Sequence, residues 1–346
     1  MRTNGLSTLN FSLLLRASVR SAQLGLAAAQ VEVASGRHYD MGLALGGRTE
    51  IDIRWRSQLD ALQHMMDNTK FAASRAELMQ GALDSVSKLA SSFMETLSGT
   101  RGAADGQVIA HNAAGAALNA LTDLMNTTYG GEFIFGGTNS GLPALSSFSG
   151  GSAEAAANDA FLAFFGFAPS SSSASGISAG SMKNFLDGSF ASLFDASAWA
   201  ANWSVASPEG VGTRLGRDQV VDASSNPAKA GATQLAEALT MTFALGEGNL
   251  SPSAFQEIVD KALGLISKSQ QLLGQEQTRI GLVQEQISSA ISRMTAQSTV
   301  LTTSIAALEA VDPYEAATRV NNLMNQLELS YTITSKLGGL SLVKFI

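Results

Sequence analysis

The chain contains no cysteine. That excludes disulfides, thiolate nucleophiles, cysteine-ligated zinc and iron–sulfur clusters. Histidine is scarce: His38, His64 and His111 are the only three, and no two stand at the i, i+4 spacing of a metal-binding helix face. Charge is thin as well. Asp, Glu, Lys and Arg together make 15% of 346 residues, against about a quarter in ordinary domains. The formal net charge of −7 argues against a nucleic-acid footprint and against attraction to an anionic membrane surface. Long apolar runs are missing too. The most apolar stretch, Phe161 to Pro169, falls far short of the roughly 20 residues a bilayer needs. Arg16 and Arg20 interrupt the apolar Leu13-Leu14-Leu15, so the N-terminal segment does not read as a cleaved signal peptide.

No catalytic constellation emerges. Gly176-Ile177-Ser178-Ala179-Gly180 has the form of a nucleophile elbow, but that fold needs a histidine after the serine, and the last histidine is His111. Gly130, Gly131, Gly136 and Gly137 lack the lysine of a phosphate loop and the spacing of a dinucleotide fingerprint. The carboxylates fall on helix faces as solvated charge, for example Glu276 near Arg279. No enzyme, cofactor or metal is expected.

What the chain does have is helical periodicity at both ends. Leu6, Leu9, Leu13, Leu24 and Val31 lie on one stripe of a helix over 4–35. Val320, Leu323 and Leu327 begin another, which leads toward Leu337, Leu340, Leu342 and Phe345. Gly36 reads as a left-handed cap and 37–47 as a loop. Further helices are expected over 48–97, 105–128, 227–245 and 252–309. Asn226-Pro227 would start the 227–245 helix. Asp312-Pro313 restarts a helix to about Lys336, with Asp312 as cap, Pro313 at the first position and Glu315 as capping-box partner.

Glu132 to Phe135 reads as a strand between glycine pairs, and 211–221 as a strand or hairpin. Residues 140–212 are rich in Ser, Ala, Gly and Phe without clear period. They read as a β-rich, solvent-facing insert, mobile in part over 170–180. The expected fold is mainly α with a small central β domain: a long antiparallel helical bundle built from N- and C-terminal segments. Residues 1–47 and 310–346 would be terminal helices, and 48–139 with 213–309 a helical rod. Interior positions of the terminal helices are rich in Ala, Ser and Thr. Such a pair has a thin core and gains order from neighbouring molecules.

Four stretches carry a resemblance. They are the helix ending Ala34-Ser35-Gly36-Arg37, the run Gly131-Glu132-Phe133-Ile134-Phe135-Gly136-Gly137-Thr138, the helix start Glu315-Ala316-Ala317-Thr318-Arg319, and the closing Lys336 to Ile346. Together they resemble the bacterial flagellin superfamily, over roughly 1–140 and 211–346. Phe133, Phe135, Gly136 and Gly137, with the apolar tail, bring the chain nearest the L-type hook–filament junction branch, the hook-associated protein 3 kind. The loop after Arg37 lacks the acidic pair and proline frequent in that family, and Lys344 stands where an acidic residue is common.

The resemblance implies a structural subunit, exported unfolded by the flagellar type III pathway and assembled head to tail. Its partners would be copies of itself, an adjacent hook-associated junction protein, flagellin and an export chaperone. Filament flagellin is the alternative, followed by a secreted helical adhesin or translocator.

Overall fold

The computed structural model describes residues 4–343 apart from 104, 217, 247 and 248. In chain order the described elements begin with the helices α1 (Asn4–Ser35), α2 (Met41–Leu45), α3 (Thr49–Gly99) and α4 (Gly106–Met125). A hairpin of β1 (Thr128–Tyr129) and β2 (Glu132–Phe133) follows. Then come α5 (Ser152–Phe165), α6 (Ala179–Phe185) and α7 (Ala196–Asn202), and a second hairpin of β3 (Gly212–Arg214) and β4 (Val220–Asp222). The chain returns to helix in α8 (Ala232–Leu245), α9 (Pro252–Glu309) and α10 (Pro313–Val343). The fold is mainly α, with two small antiparallel sheets.

The local chemistry explains most boundaries. Gly36 (φ 67°) ends α1, its amide reaching Glu32 O at 2.9 Å. Asp312 caps α10, its Oδ1 accepting from Tyr314 N at 2.8 Å and Glu315 N at 3.3 Å. Glu315 does not close the expected capping box; its carboxylate takes Arg319 at 2.8 Å instead. The expected loop 37–47 contains α2, which Asp40 starts by accepting from Leu43 N at 2.9 Å. The α10 helix runs past Lys336 through Gly338-Gly339 to Val343, beyond its expected end. Asn226 caps only a turn, through Lys229 N at 2.9 Å. The helix proper begins after Gly231, which turns left-handed (φ 69°) where a β-carbon would press on Ser269 O.

The chain divides into two compact units: Met1–His64 with Met294–Ile346, and Met65–Arg293. In the first, α1 and α10 lie antiparallel. Gln23 Nε2 donates to Tyr331 Oη at 2.8 Å, and Glu32 meets Arg319 at 2.9 Å. Leu323 seats over Gly25, 3.5 Å from where a β-carbon would stand. Ala22, Ala29, Ala316 and Leu327 are buried between the helices. Small residues let the axes approach, but they bury little apolar area, so the pair gains little from its own core.

The second unit has the larger core. Met79, Leu83, Val86, Phe93 and Leu97 of α3 pack with Leu118, Leu121 and Met125 of α4 and with Ile258, Val259, Ile266, Leu273 and Ile280 of α9. The α8 helix is buried nearly all round and packs along α4.

The small β part sits at the borders of the expected insert rather than within it. Gly130 (φ 62°) and Gly131 (φ 86°) form the two-residue turn of the first hairpin, a conformation that left-handed glycines provide. The second hairpin pairs Gly212 with Asp222 and Arg214 with Val220. Before Gly212, no described residue of 140–212 is in a strand. Short helices and 3-10 turns occupy that stretch.

The reason is a helical stripe, Ala153, Ala157 and Phe161, diluted among other alanines. The serines and glycines that suggested loops are helix ends: Ser178 accepts from Ser181 N at 3.2 Å, and Gly166 (φ 80°) closes α5. Aromatic rings fill the space. Phe161 meets Phe185 edge-on at 5.6 Å, and Trp199 stacks on Trp203 at 5.5 Å. These rings belong to the same continuous core as α3, α4, α8 and α9.

Candidate functional site

No three side chains among the described residues are grouped so as to hold a metal ion. Ser178 is a helix cap, and its hydroxyl meets Ser181 Oγ at 3.0 Å. His111 stacks on Phe243 at 4.4 Å and bonds Phe243 O through Nδ1 at 2.8 Å. His64 is exposed.

The two terminal stripes are placed differently. On α10, Leu327 is buried while Val320 and Leu323 are half-buried, all within the pair with α1. On α1, Leu13 (55% exposed), Leu24 (66%) and Val31 (48%) lie open, because α10 seats on the other face, through Ala22, Gly25 and Ala29. Met324, Leu329, Tyr331 and Ile333 of α10 are open as well. The pair therefore carries uncovered apolar side chains on both helices. The helix includes Leu337, Leu340 and Leu342, and α1 includes Leu6 and Leu9, but those five side chains lie outside the described set, as does Phe345 altogether.

At one end of the pair is a charged joint that periodicity alone does not reveal. Glu309, the last residue of α9, has a side chain 1% exposed. One carboxylate oxygen takes Arg37 and the other takes Arg56 of α3. Burial works against the charge, yet the hydrogen bond from Arg56 leads the groups that hold Glu309 below the ordinary carboxylate range. Arg56 is raised in turn by that bond. The main chain closes over it: His38 N donates to Glu309 O at 3.1 Å, and Val311 N to Gly36 O at 3.0 Å. Glu32, also buried, receives Arg319 at 2.9 Å and Tyr39 N at 3.1 Å, with His38 Nδ1 at 3.7 Å. Asp312 and Pro313 are exposed at the start of α10 beside this joint. A signal was present: Glu32 falls in line with Ala22 and Ala29 on the small-residue face, where a charge needs a partner.

The Phe-Gly-Gly-Thr stretch is a second built feature. Phe135 is fully buried, Phe133 half so. Phe133 N donates to Ser140 O at 2.8 Å, and Ser207 N to Gly136 O at 3.0 Å. A β-carbon on Gly136 would lie 2.9 Å from Asn139 O, so the glycines admit close passage of backbone. Beneath them, Arg75 donates to Ile134 O at 3.3 Å; burial pushes its guanidinium below the ordinary value.

A third anchor is Arg279 of α9. It reaches Asp222 O at 2.9 Å and Ser224 O, and it neutralises the buried Glu276 at 2.7 Å. The second hairpin is thereby tied to α9.

The long helices built from both ends of the chain have a counterpart in sequence. The model of the bacterial flagellin N-terminal helical region matches residues 6–140, and that of the C-terminal helical region matches 258–346. The chain belongs to the bacterial flagellin family. No curated protein matches it. Among solved structures it is similar to a Vibrio parahaemolyticus protein described as flagellar hook-associated, at 13% identity and a TM-score of 0.54. The match covers 75% of this chain and 96% of that one. At that identity the likeness is one of fold.

As a flagellin-family chain it is a structural component of the flagellum, exported to the cell exterior, and not an enzyme. It self-assembles and associates with other flagellar proteins. No helix among the described residues is long and apolar enough to cross a membrane. Residues 141–257, with the aromatic helices, lie outside both family matches.

Proposed function

We propose that this chain is the junction subunit between hook and filament, added beyond an adjacent hook-associated protein and followed by flagellin. The observation that carries this reading is the Phe133–Gly137 stretch, buried from Ile134 onward, whose residues resemble the junction branch rather than filament flagellin. The hook-associated description of the Vibrio parahaemolyticus protein, of similar fold, supports it.

In this reading 1–47 and 310–346 are the polymerising segments, 48–139 with 213–309 the rod, and 140–212 faces solvent. Copies add head to tail, and an interface that does not close on itself makes an open helical array. The apolar side chains left open on α1 and α10, among them Leu13, Leu24 and Val31, are then covered by neighbouring copies. Leu6, Leu9, Leu337, Leu340, Leu342 and Phe345 would extend that contact, and Val320, Leu323 and Leu327 would hold the pair that presents it. An export chaperone would shield the same segments before secretion.

The test is genetic replacement in a strain lacking its own junction protein. Restored filament attachment, with immunogold label confined to the hook tip, is the expected result. Label along the whole filament would assign the chain to filament flagellin. Secretion independent of the flagellar export gate would point to a helical adhesin or translocator instead.

A further inference from the structure

The segment Arg37-His38-Tyr39 is suspended between two buried carboxylates that belong to different helices. On one side Glu309, closing α9, takes the Arg37 guanidinium on one oxygen and Arg56 of α3 on the other, while its main-chain oxygen accepts His38 N. On the other side Glu32, in the last turns of α1, accepts Tyr39 N at 3.1 Å and Arg319 of α10 at 2.9 Å. Among the described residues Arg319 and Arg37 share no side-chain partner. Glu32 and the loop link them on one side, and residues 310–312, which run from Glu309 into α10, link them on the other.

We infer that this segment is a coupling element, by which the pairing of α10 with α1 seats the loop against α3 and the end of α9. Arg319 can reach Glu32 only when α10 lies along α1. Glu32 is buried, and its two oxygens are taken by that guanidinium and by the Tyr39 amide, so the loss of either leaves a buried acceptor without its partner. Once Tyr39 is fixed, His38 N and Arg37 fall on the backbone and side chain of the same residue, Glu309. A buried acid left half paired is costly at either end, so the intermediate arrangements are disfavoured and the joint seats as a whole.

The other charged groups facing this joint have contacts of their own. Asp52 holds Arg56 Nε at 3.2 Å, Glu315 holds Arg319 at 2.8 Å, and Asp312 caps α10. The inference concerns the joint of α1 and α10 with α3 and the end of α9, and does not depend on whether the chain sits at the junction or in the filament.

The experiment is amide hydrogen exchange on the full chain, for Arg319→Gln, Arg37→Gln and the double variant. His38 N and Val311 N, bonded to Glu309 O and Gly36 O, are the reporters. Arg319→Gln should speed their exchange by about tenfold although Arg319 touches neither bond. The double variant should exchange no more than about threefold faster than Arg37→Gln, because both act on one unit. Glu315→Gln, which removes only the exposed partner of Arg319, should leave the reporters unchanged. Unaltered exchange in Arg319→Gln, or effects that simply multiply in the double variant, would overturn the inference. So would acceleration that spreads equally to α4 and α8, since that is general unfolding. Glu32→Gln gives an independent check: it should match Arg319→Gln at both reporters, and normal protection there would also overturn it.

Discussion

A β-carbon on Gly137 would stand 2.5 Å from the carbonyl oxygen of Ser207, a residue far along the chain. Gly137 is also left-handed, at φ 61°. Alanine there meets two penalties, the backbone conformation and the clash, each of about 1–3 kcal/mol. Gly137→Ala should therefore cost about 2–4 kcal/mol in urea unfolding followed by near-ultraviolet circular dichroism. A loss under about 0.5 kcal/mol would mean that the 205–209 segment moves aside freely.

Glu237, on the buried helix α8, titrates at about 7, chiefly because burial penalises its charge; Lys261 and Lys268 only partly offset this, and Asp195 and Asp187 add to it. The folded chain thus holds a proton that the unfolded chain releases near its ordinary value of 4.5. Its contribution to stability is full below that value and is lost as pH rises through about 7. The total is on the order of 3 kcal/mol. Glu237→Gln should flatten stability between pH 5 and pH 8, measured as urea midpoints; an unchanged slope would place the titration elsewhere.

Removing Arg279 should be severe. Arg279→Leu strands the buried Glu276 and frees the carbonyls of Asp222 and Ser224. Breaking a buried pair in this way costs about 3–5 kcal/mol. Amide exchange at Thr213 and Val221, paired across the second hairpin, should rise with it. Protection that persists in the variant would show that strand pairing alone holds the hairpin.

The open face of α1 makes a different kind of target. Leu24→Glu changes a side chain that is 66% exposed, so helix content should be unchanged and the monomer's unfolding free energy should stay within about 0.5 kcal/mol. Incorporation into flagella should nevertheless fail. Leu327→Ala, inside the pair, should loosen α10 from α1 and raise exchange in both helices. Normal incorporation of Leu24→Glu would remove that face from the assembly contact.

Deleting Leu337–Ile346 should leave a chain that is secreted and soluble but not assembled. Secretion assays and electron microscopy of the flagella would check this. Incorporation at the normal level would refute the role proposed for the apolar tail.

Much of the fold was legible because helices announce themselves locally. The stripe over 252–309 ends at the observed bounds of α9, and Ser35-Gly36 and Asp312-Pro313 punctuate as capping chemistry requires. The segment 152–203 was not legible, since its alanines blur the period and its serines serve as caps rather than loops.

Local pattern along the chain specified a mainly helical, cysteine-free subunit whose two ends are amphipathic. Which face of α1 receives α10 was decided by the tertiary structure, because α1 carries apolar or small residues on more than one side and close approach selects Ala22, Gly25 and Ala29. The joint was decided there too. Glu32 with Arg319, and Glu309 with Arg37 and Arg56, are separated by most of the chain's length, and a charge shows its partner only once burial removes water as the alternative.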